Sequence, residues 1–211
     1  MHSIEETTVP ALRALIEHEA PNAVVWAAGA GAGGAGRTES VDRDGAIRVM
    51  DALAAAEYTT QDGLPAARRL VLVSAVDVRD REKGVPEWYS DQDKERSGKV
   101  WGAIGAYMQA KLAADTELVR ENENRRLRYT IVRPGGLTNN EGTGRVQVGR
   151  VGLQETVSRE DVAAVVAEVL KRDDTVGLAF DVLGDGKEGR PIEDAIEYVA
   201  RERVDTFEGF H

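Results

Sequence analysis

Four short apolar runs, separated by stretches with helical apolar spacing, constrain this 211-residue chain more than any other feature. They are AVVWAAGA at 23–30, RRLVLVSA at 68–75, a run at about 127–133 inside LRYTIVRPGGLTNN, and LAFDVLGDG at 178–186. The runs are rich in β-branched residues and stop at glycine, proline or a small polar residue, which predicts strands. The near-continuous apolar character of 23–30 further predicts a strand buried on both faces, as in a parallel sheet. The run at 68–75 has a basic start and a small-residue end, and that end carries Ser74.

Helical patterns fill the intervals. Residues 3–20 have polar Ser3, Thr7 and Thr8 at the start, an apolar stripe of Leu12, Leu15 and Ile16, and Pro21 and Asn22 as the stop. Val41, Ile47, Val49, Met50 and Leu53 predict a helix over 39–57, and WGAIGAYMQAKLAADTELVREN predicts another over 101–122. SREDVAAVVAEVLKRD predicts a helix capped by Ser158, with Glu160 and Asp161 facing its dipole. PIEDAIEYVARERV predicts a last helix with Pro191 in its first turn. EGTGRVQVGRVGLQETV is expected to hold a short hairpin. Alternating strands and helices specify an α/β fold, a parallel sheet with flanking helices, and the length is most simply one domain over 1–211.

Charge and composition narrow the partners. A formal net charge of −10 and a pI near 4.9 repel phosphate polymers and anionic bilayers, so neither nucleic acid nor membrane is expected and a small-molecule substrate is. There is no cysteine, and His2, His18 and His211 are scattered, so no metal site is expected. No apolar run approaches the length of a membrane span. MHSIEETTVP lacks the basic and apolar regions of a secretory signal, so a cytoplasmic protein is expected.

Ligands of open α/β sheets sit beyond the C-terminal strand ends. Here those ends offer the glycines after Ala28, then Ser74, then Pro134, Gly135 and Gly136. Between the last two ends, Tyr107 and Lys111 stand four apart and share one helix face. An ammonium beside a phenol favours the phenolate, so Lys111 is expected to draw Tyr107 below its ordinary pKa of about 10. An isolated Tyr-x-x-x-Lys is more often a packed tyrosine and a solvated lysine; the ordered strand ends around it shift that balance. Gly31-x-Gly33-x-x-Gly36 matches a dinucleotide fingerprint in letters, but GAGAGGAG satisfies several glycine patterns at once. It is a pyrophosphate loop, a loop flanking the cofactor, or a plain turn. The charged excursion at 76–99 leaves Trp88, Tyr89 and Trp101 either lining a substrate pocket or anchoring the excursion.

Taken in order, AVVWAAGAG, VDRDGAIRVMDA, LVLVSAVDVRDRE, the Tyr-x-x-x-Lys helix, YTIVRPGGLT and SREDVA resemble the short-chain dehydrogenase/reductase superfamily. The closest resemblance is to its atypical NAD(P)H-binding, NAD-dependent epimerase/dehydratase-like branch, over residues 10 to about 200. The resemblance implies a Rossmann-like fold and NADP or NAD as cofactor. It makes Tyr107 the general acid/base, Lys111 its partner and a ligand of the nicotinamide ribose, and Ser74 a hydrogen-bond donor to the reacting carbonyl. It places Ala27, Ala28, Gly29, Arg133, Pro134, Gly135 and Gly136 along the cofactor. In that family the Ala-Ala-Gly strand is the fourth, so the resemblance also implies a chain lacking strands one to three and the usual phosphate loop. Reduced dinucleotide affinity and an apolar edge at 23–28, open to a homo-oligomer, would follow. The implied activity is an NAD(P)-dependent oxidoreductase on a small carbonyl or alcohol. Alternatives are a noncatalytic NAD(P)-sensing or protein-interaction module and an isomerase or epimerase using the same Tyr-Lys pair.

Overall fold

The computed structural model describes residues 3–31, 34–66 and 68–207. Six strands hydrogen-bond in the order β1 (Val24–Trp26), β2 (Arg69–Val73), β3 (Arg128–Pro134), β7 (Ala179–Gly184), β5 (Arg145–Gly149) and β8 (Arg190–Pro191), and β4 (Gly136–Thr138) and β6 (Thr156–Ser158) form a separate two-stranded sheet. Helices flank the sheet, which is mostly parallel: the pairing of β2 (Arg69–Val73) with β3 (Arg128–Pro134) and of β3 with β7 (Ala179–Gly184) runs parallel. This is the expected Rossmann-like α/β arrangement. The chain divides into two compact units, Met1–Leu70 with Ala106–Tyr129 and Val71–Gly105 with Thr130–His211.

In the first unit, α1 (Val9–Glu19) packs on α3 (Ala46–Ala55) through a stripe that buries Leu12 and Ile16. Thr8 caps α1 by accepting from the Ala11 amide at 3.4 Å, and Ala20 in left-handed backbone closes it. Strand β1 is shorter than the apolar run: it spans Val24–Trp26 only. It ends the strand order, and Val25 is 41% exposed while Trp26 is buried, so the strand is not covered on both faces as expected. Alternate residues of an end strand turn outward, and apolar composition alone does not report position in a sheet.

The predicted 39–57 helix is two pieces, a π-helical stretch at Glu39–Gly45 and α3, and the short α2 (Gly34–Thr38) precedes them. Gly45 lies under the Trp26 indole, where a Cβ would come within 3.1 Å of the ring. Ala32 and Gly33 lie outside the described residues, so the central glycine of the Gly31 to Gly36 pattern is not placed; Gly31 and Gly34 on either side both have positive φ. The predicted 101–122 helix begins ten residues earlier, as α4 (Asp91–Arg120), with Ile104 at φ −130° and ψ 32° breaking its regularity between Gly102 and Gly105.

In the second unit, valines dominate the core. Val162, Val165, Val166 and Val169 of α6 (Arg159–Leu170) and Ala195, Ile196 and Val199 of α7 (Ile192–Glu202) close over Val132, Phe180 and Val182 of the sheet. The expected hairpin in 141–157 does not form. Instead β5 (Arg145–Gly149) runs antiparallel to both β7 and β8 (Arg190–Pro191), and β6 (Thr156–Ser158) pairs parallel with β4 (Gly136–Thr138). Each half finds a better partner in a distant segment than in its neighbour. Ser158 caps α6 as predicted, its hydroxyl accepting from the Asp161 amide at 2.9 Å. Replacing Ser158 with Ala is expected to lower unfolding free energy by about 1 kcal/mol, read as a reduced urea midpoint at unchanged slope.

Candidate active site

The candidate residues fall in both units. Ala27, Ala28, Gly29, Tyr107 and Lys111 belong to the first, and Ser74, Arg133, Pro134, Gly135 and Gly136 to the second.

In the first unit, β1 delivers an exposed backbone run of Ala27, Ala28 and Gly29 before Ala30 turns inward and is buried. Beneath that run lies Asp42, from the π-helical stretch, with no solvent exposure. Its Oδ2 accepts from the Ala30 amide at 2.9 Å, and its Oδ1 is 3.2 Å from Lys111 Nζ, a residue only 4% exposed. Gly29 sits above the carboxylate: a Cβ there would lie 3.1 Å from Asp42 Oδ1. The Lys111 ammonium also lies 5.7 Å from the centroid of the half-buried Tyr107 ring, one helical turn back.

This geometry reverses the expected electrostatics. Burial, then the carboxylates of Asp42 and Asp115, push the Tyr107 phenol up to about 12, where a lowered value was predicted. Lys111 does approach the ring, but its charge is shared with a carboxylate that touches it directly. Asp42 and Asp115 were missed by motif reading. Asp42 carries one usable signal: with Gly45, Ala46 and Val49 it falls on the buried i, i+3, i+4, i+7 stripe, where an aspartate needs a partner.

In the second unit, Ser74 stands just past the end of β2, 3% exposed, with its amide donating to Val132 O at 2.8 Å. Arg133 is 2% exposed and its guanidinium is surrounded by protein. Nη1 donates to Thr206 O at 3.1 Å, Nη2 donates to Val78 O, and Nε lies 3.5 Å from Asp181 Oδ1. Pro134 is a buried strand residue paired with Val182. A Cβ on Gly135 would overlap the buried Leu183 side chain, and one on Gly136 would touch Thr156 Cγ2 at 3.4 Å. Packing accounts for Arg133, Pro134 and Gly135, which are buried, while Gly136 is exposed.

The excursion after Ser74 is anchored by its aromatics. Trp88 donates to Val151 O at 3.2 Å, and Tyr89 stacks edge-on against it. Trp101 donates to Asp77 Oδ2 at 3.1 Å, and Asp77 pairs with the buried Arg79 at 2.9 Å. Burial and the charges of Asp181 and Asp77 raise the Tyr89 pKa far above the ordinary phenol range.

Residues 3–173 match the family model described as NAD(P)H-binding. The chain belongs to that NAD(P)H-binding family. A UPF0659 protein of Schizosaccharomyces pombe is 36% identical over 181 residues, covering 85% of this chain and 69% of that protein. A Bacillus subtilis protein called an uncharacterized sugar epimerase is 33% identical over 178 residues, covering 83% of this chain and 68% of the relative. Among solved structures, a candidate NAD-dependent epimerase/dehydratase from Bacillus halodurans superposes with a TM-score of 0.68 at 32% identity, covering 94% of this chain and 76% of that one. A Veillonella parvula short-chain dehydrogenase/reductase solved in complex with NADP shares the fold, with a TM-score of 0.59 at 16% identity over 88% of this chain and 71% of that one. Among the described residues, no helix is long and apolar enough to cross a membrane and no group of histidine and acidic side chains could hold a metal ion.

Two outcomes follow from the site geometry. A phenol whose folded pKa lies above its unfolded value of about 10 adds stability that is complete below pH 10 and is lost as pH rises through about 12. The urea midpoint of the native chain should therefore fall relative to Tyr107→Phe across that window, and Asp42→Asn should move the tyrosinate absorbance transition of Tyr107 downward. For Arg133, replacement by Met strands Asp181 and should cost about 3 to 5 kcal/mol in denaturant unfolding. A cofactor role would instead weaken dinucleotide binding and leave the unfolding midpoint in place.

Proposed function

We propose that this family member is an NAD(P)-dependent oxidoreductase of the short-chain dehydrogenase/reductase type, working on a small carbonyl or alcohol in the direction of carbonyl reduction. The observation that carries the reading is Tyr107, half-buried on the same helix face as Lys111, whose ammonium lies 5.7 Å from its ring. The phenol is protonated at neutral pH and can donate to a developing alkoxide; its raised pKa makes it a weaker acid, which the Lys111 ammonium offsets by stabilising the phenolate.

The residues present fit the nicotinamide side of a dinucleotide. The exposed Ala27–Gly29 backbone, at the end of a strand, is open to a planar ring, and the Tyr107 and Lys111 pair lies in the same unit. NAD(P)H when bound supplies the hydride. Tyr107 Oη donates its proton to the substrate oxygen as the carbonyl carbon is reduced. Lys111 holds the ribose hydroxyls and stabilises the phenolate left behind. Its pairing with Asp42 offsets its charge locally, so the pair offers little net attraction to a pyrophosphate.

A second reading, epimerisation through the same Tyr107 and Lys111, is favoured by the names of the Bacillus relatives. It uses the cofactor without net consumption, which separates the two. Titrating NADPH and NADH while following nicotinamide fluorescence should give saturable binding. Turnover of a carbonyl panel should consume NADPH or NADH stoichiometrically and fall by at least about 100-fold in Tyr107→Phe. Binding without consumption, with stereochemical inversion of a sugar substrate, would select the epimerase. No binding at millimolar cofactor would leave the noncatalytic module.

A further inference from the structure

A concavity of about 480 Å³ lies in the first unit, lined by Glu57, Tyr58, Pro65, Arg68, Arg126 and Arg128 among others. Arg68 immediately precedes β2, and Arg126 and Arg128 stand at the entry to β3. The Arg128 amide donates to Arg68 O at 2.9 Å, which brings the two strand entries side by side. These are the N-terminal ends of the strands. Ser74 and Pro134 lie at the other ends, where ligands of open α/β sheets bind.

Three arginines face one glutamate here, in a chain whose net charge is −10. A fourth guanidinium, that of buried Arg69, donates to Arg128 O at 2.9 Å and adds to the local field. Two acids of the same unit, Asp51 and Glu117, both pair with Arg125 at 2.8 Å. Among the described residues, the side chains of Arg68 and Arg126 enter no ion pair or hydrogen bond. Backbone needs do not explain the choice of arginine either. Both residues have left-handed backbone, with φ of 47° and 54°, a conformation in which glycine and asparagine are favoured. Guanidiniums gathered around one cavity repel each other unless an anion sits among them.

We propose that this concavity binds a compact small molecule carrying two or more negative charges, with Arg68 and Arg126 as its principal ligands and Arg128 beside them. The volume suits a small ligand, and the net negative charge of the chain works against a long polyanion. Guanidinium forks match phosphate and carboxylate oxygens alike, so both diphosphates and polycarboxylates share the required chemistry. The site is independent of the redox assignment.

Isothermal titration calorimetry of the full chain with inorganic pyrophosphate, and separately with citrate, at matched ionic strength, tests the proposal. Saturable one-to-one binding of either is expected, and the tighter of the two assigns the phosphoryl or carboxylate source. Arg68→Asn with Arg126→Asn should weaken it at least about tenfold, the loss of a charge-assisted hydrogen bond or more. Asparagine tolerates left-handed backbone, so the variant keeps the fold, which circular dichroism verifies. Glu57→Gln should strengthen binding. No saturable heat with either probe at about 10 mM, or affinity unchanged in the double asparagine variant, would overturn the site. Tighter binding of a single-stranded RNA homopolymer than of pyrophosphate would replace it with an extended polyanion surface.

Discussion

A carboxylate with no access to water must be neutralised where it sits, and Asp42 imposes that constraint on the first unit. Isolated burial of a charge is prohibitive, while a partner within ion-pair distance and a backbone amide make it tolerable. Asp42 has both, in Lys111 at 3.2 Å and Ala30 N at 2.9 Å. Those two contacts tie a π-helical stretch, the loop after β1 and the helix of Tyr107 to one another. Gly29 has no side chain to hold the loop away from the carboxylate, and Gly45 lets the same helix settle against Trp26. The same charge, after burial, helps raise the pKa of the Tyr107 phenol.

The second unit meets the same constraint with a different set. Asp77, Arg79, Arg133 and Asp181 are all at most 4% exposed and pair two by two. The carbonyls of Ala75, Val78, Gly84 and Thr206 accept the remaining guanidinium donors. An excursion as charged as 76–99 would be read as solvated from composition, yet part of it is interior. Its charges are balanced in sign, and Trp101 and Ser97 supply the hydrogen bonds that a buried ion pair needs to be tolerated. The match to the NAD(P)H-binding family runs over residues 3–173 and so includes segments of both units.

Much of the fold was legible in periodicity. The cap at Ser158, the stripe of α1 and the four principal strands lie where local patterning puts them, because local hydrogen bonds and apolar spacing decide them. The misses share one cause. The exposure of Val25, the antiparallel insertion of β5 and the π-helical stretch at 39–45 depend on partners distant in sequence. Trp88, Tyr89 and Trp101 had two readings in sequence; the indole donors of Trp88 and Trp101 to Val151 and Asp77, and the edge contact of Tyr89 with Trp88, fit the anchoring one.

By itself the sequence determined an α/β chain with Tyr107 and Lys111 on one helix face and small residues at the strand ends, since spacing along a helix or strand is a local property. Only the tertiary structure decided what those groups are electrically. A pKa depends on burial and on every charge within a few ångströms; Asp115 lies two turns along the same helix, while burial and Asp42 reach Tyr107 only through folding. Arg133 changed most for the same reason: as a letter before Pro-Gly-Gly it reads as a cofactor ligand, while in the fold its guanidinium is enclosed by Asp181, Thr206, Val78 and Ala75.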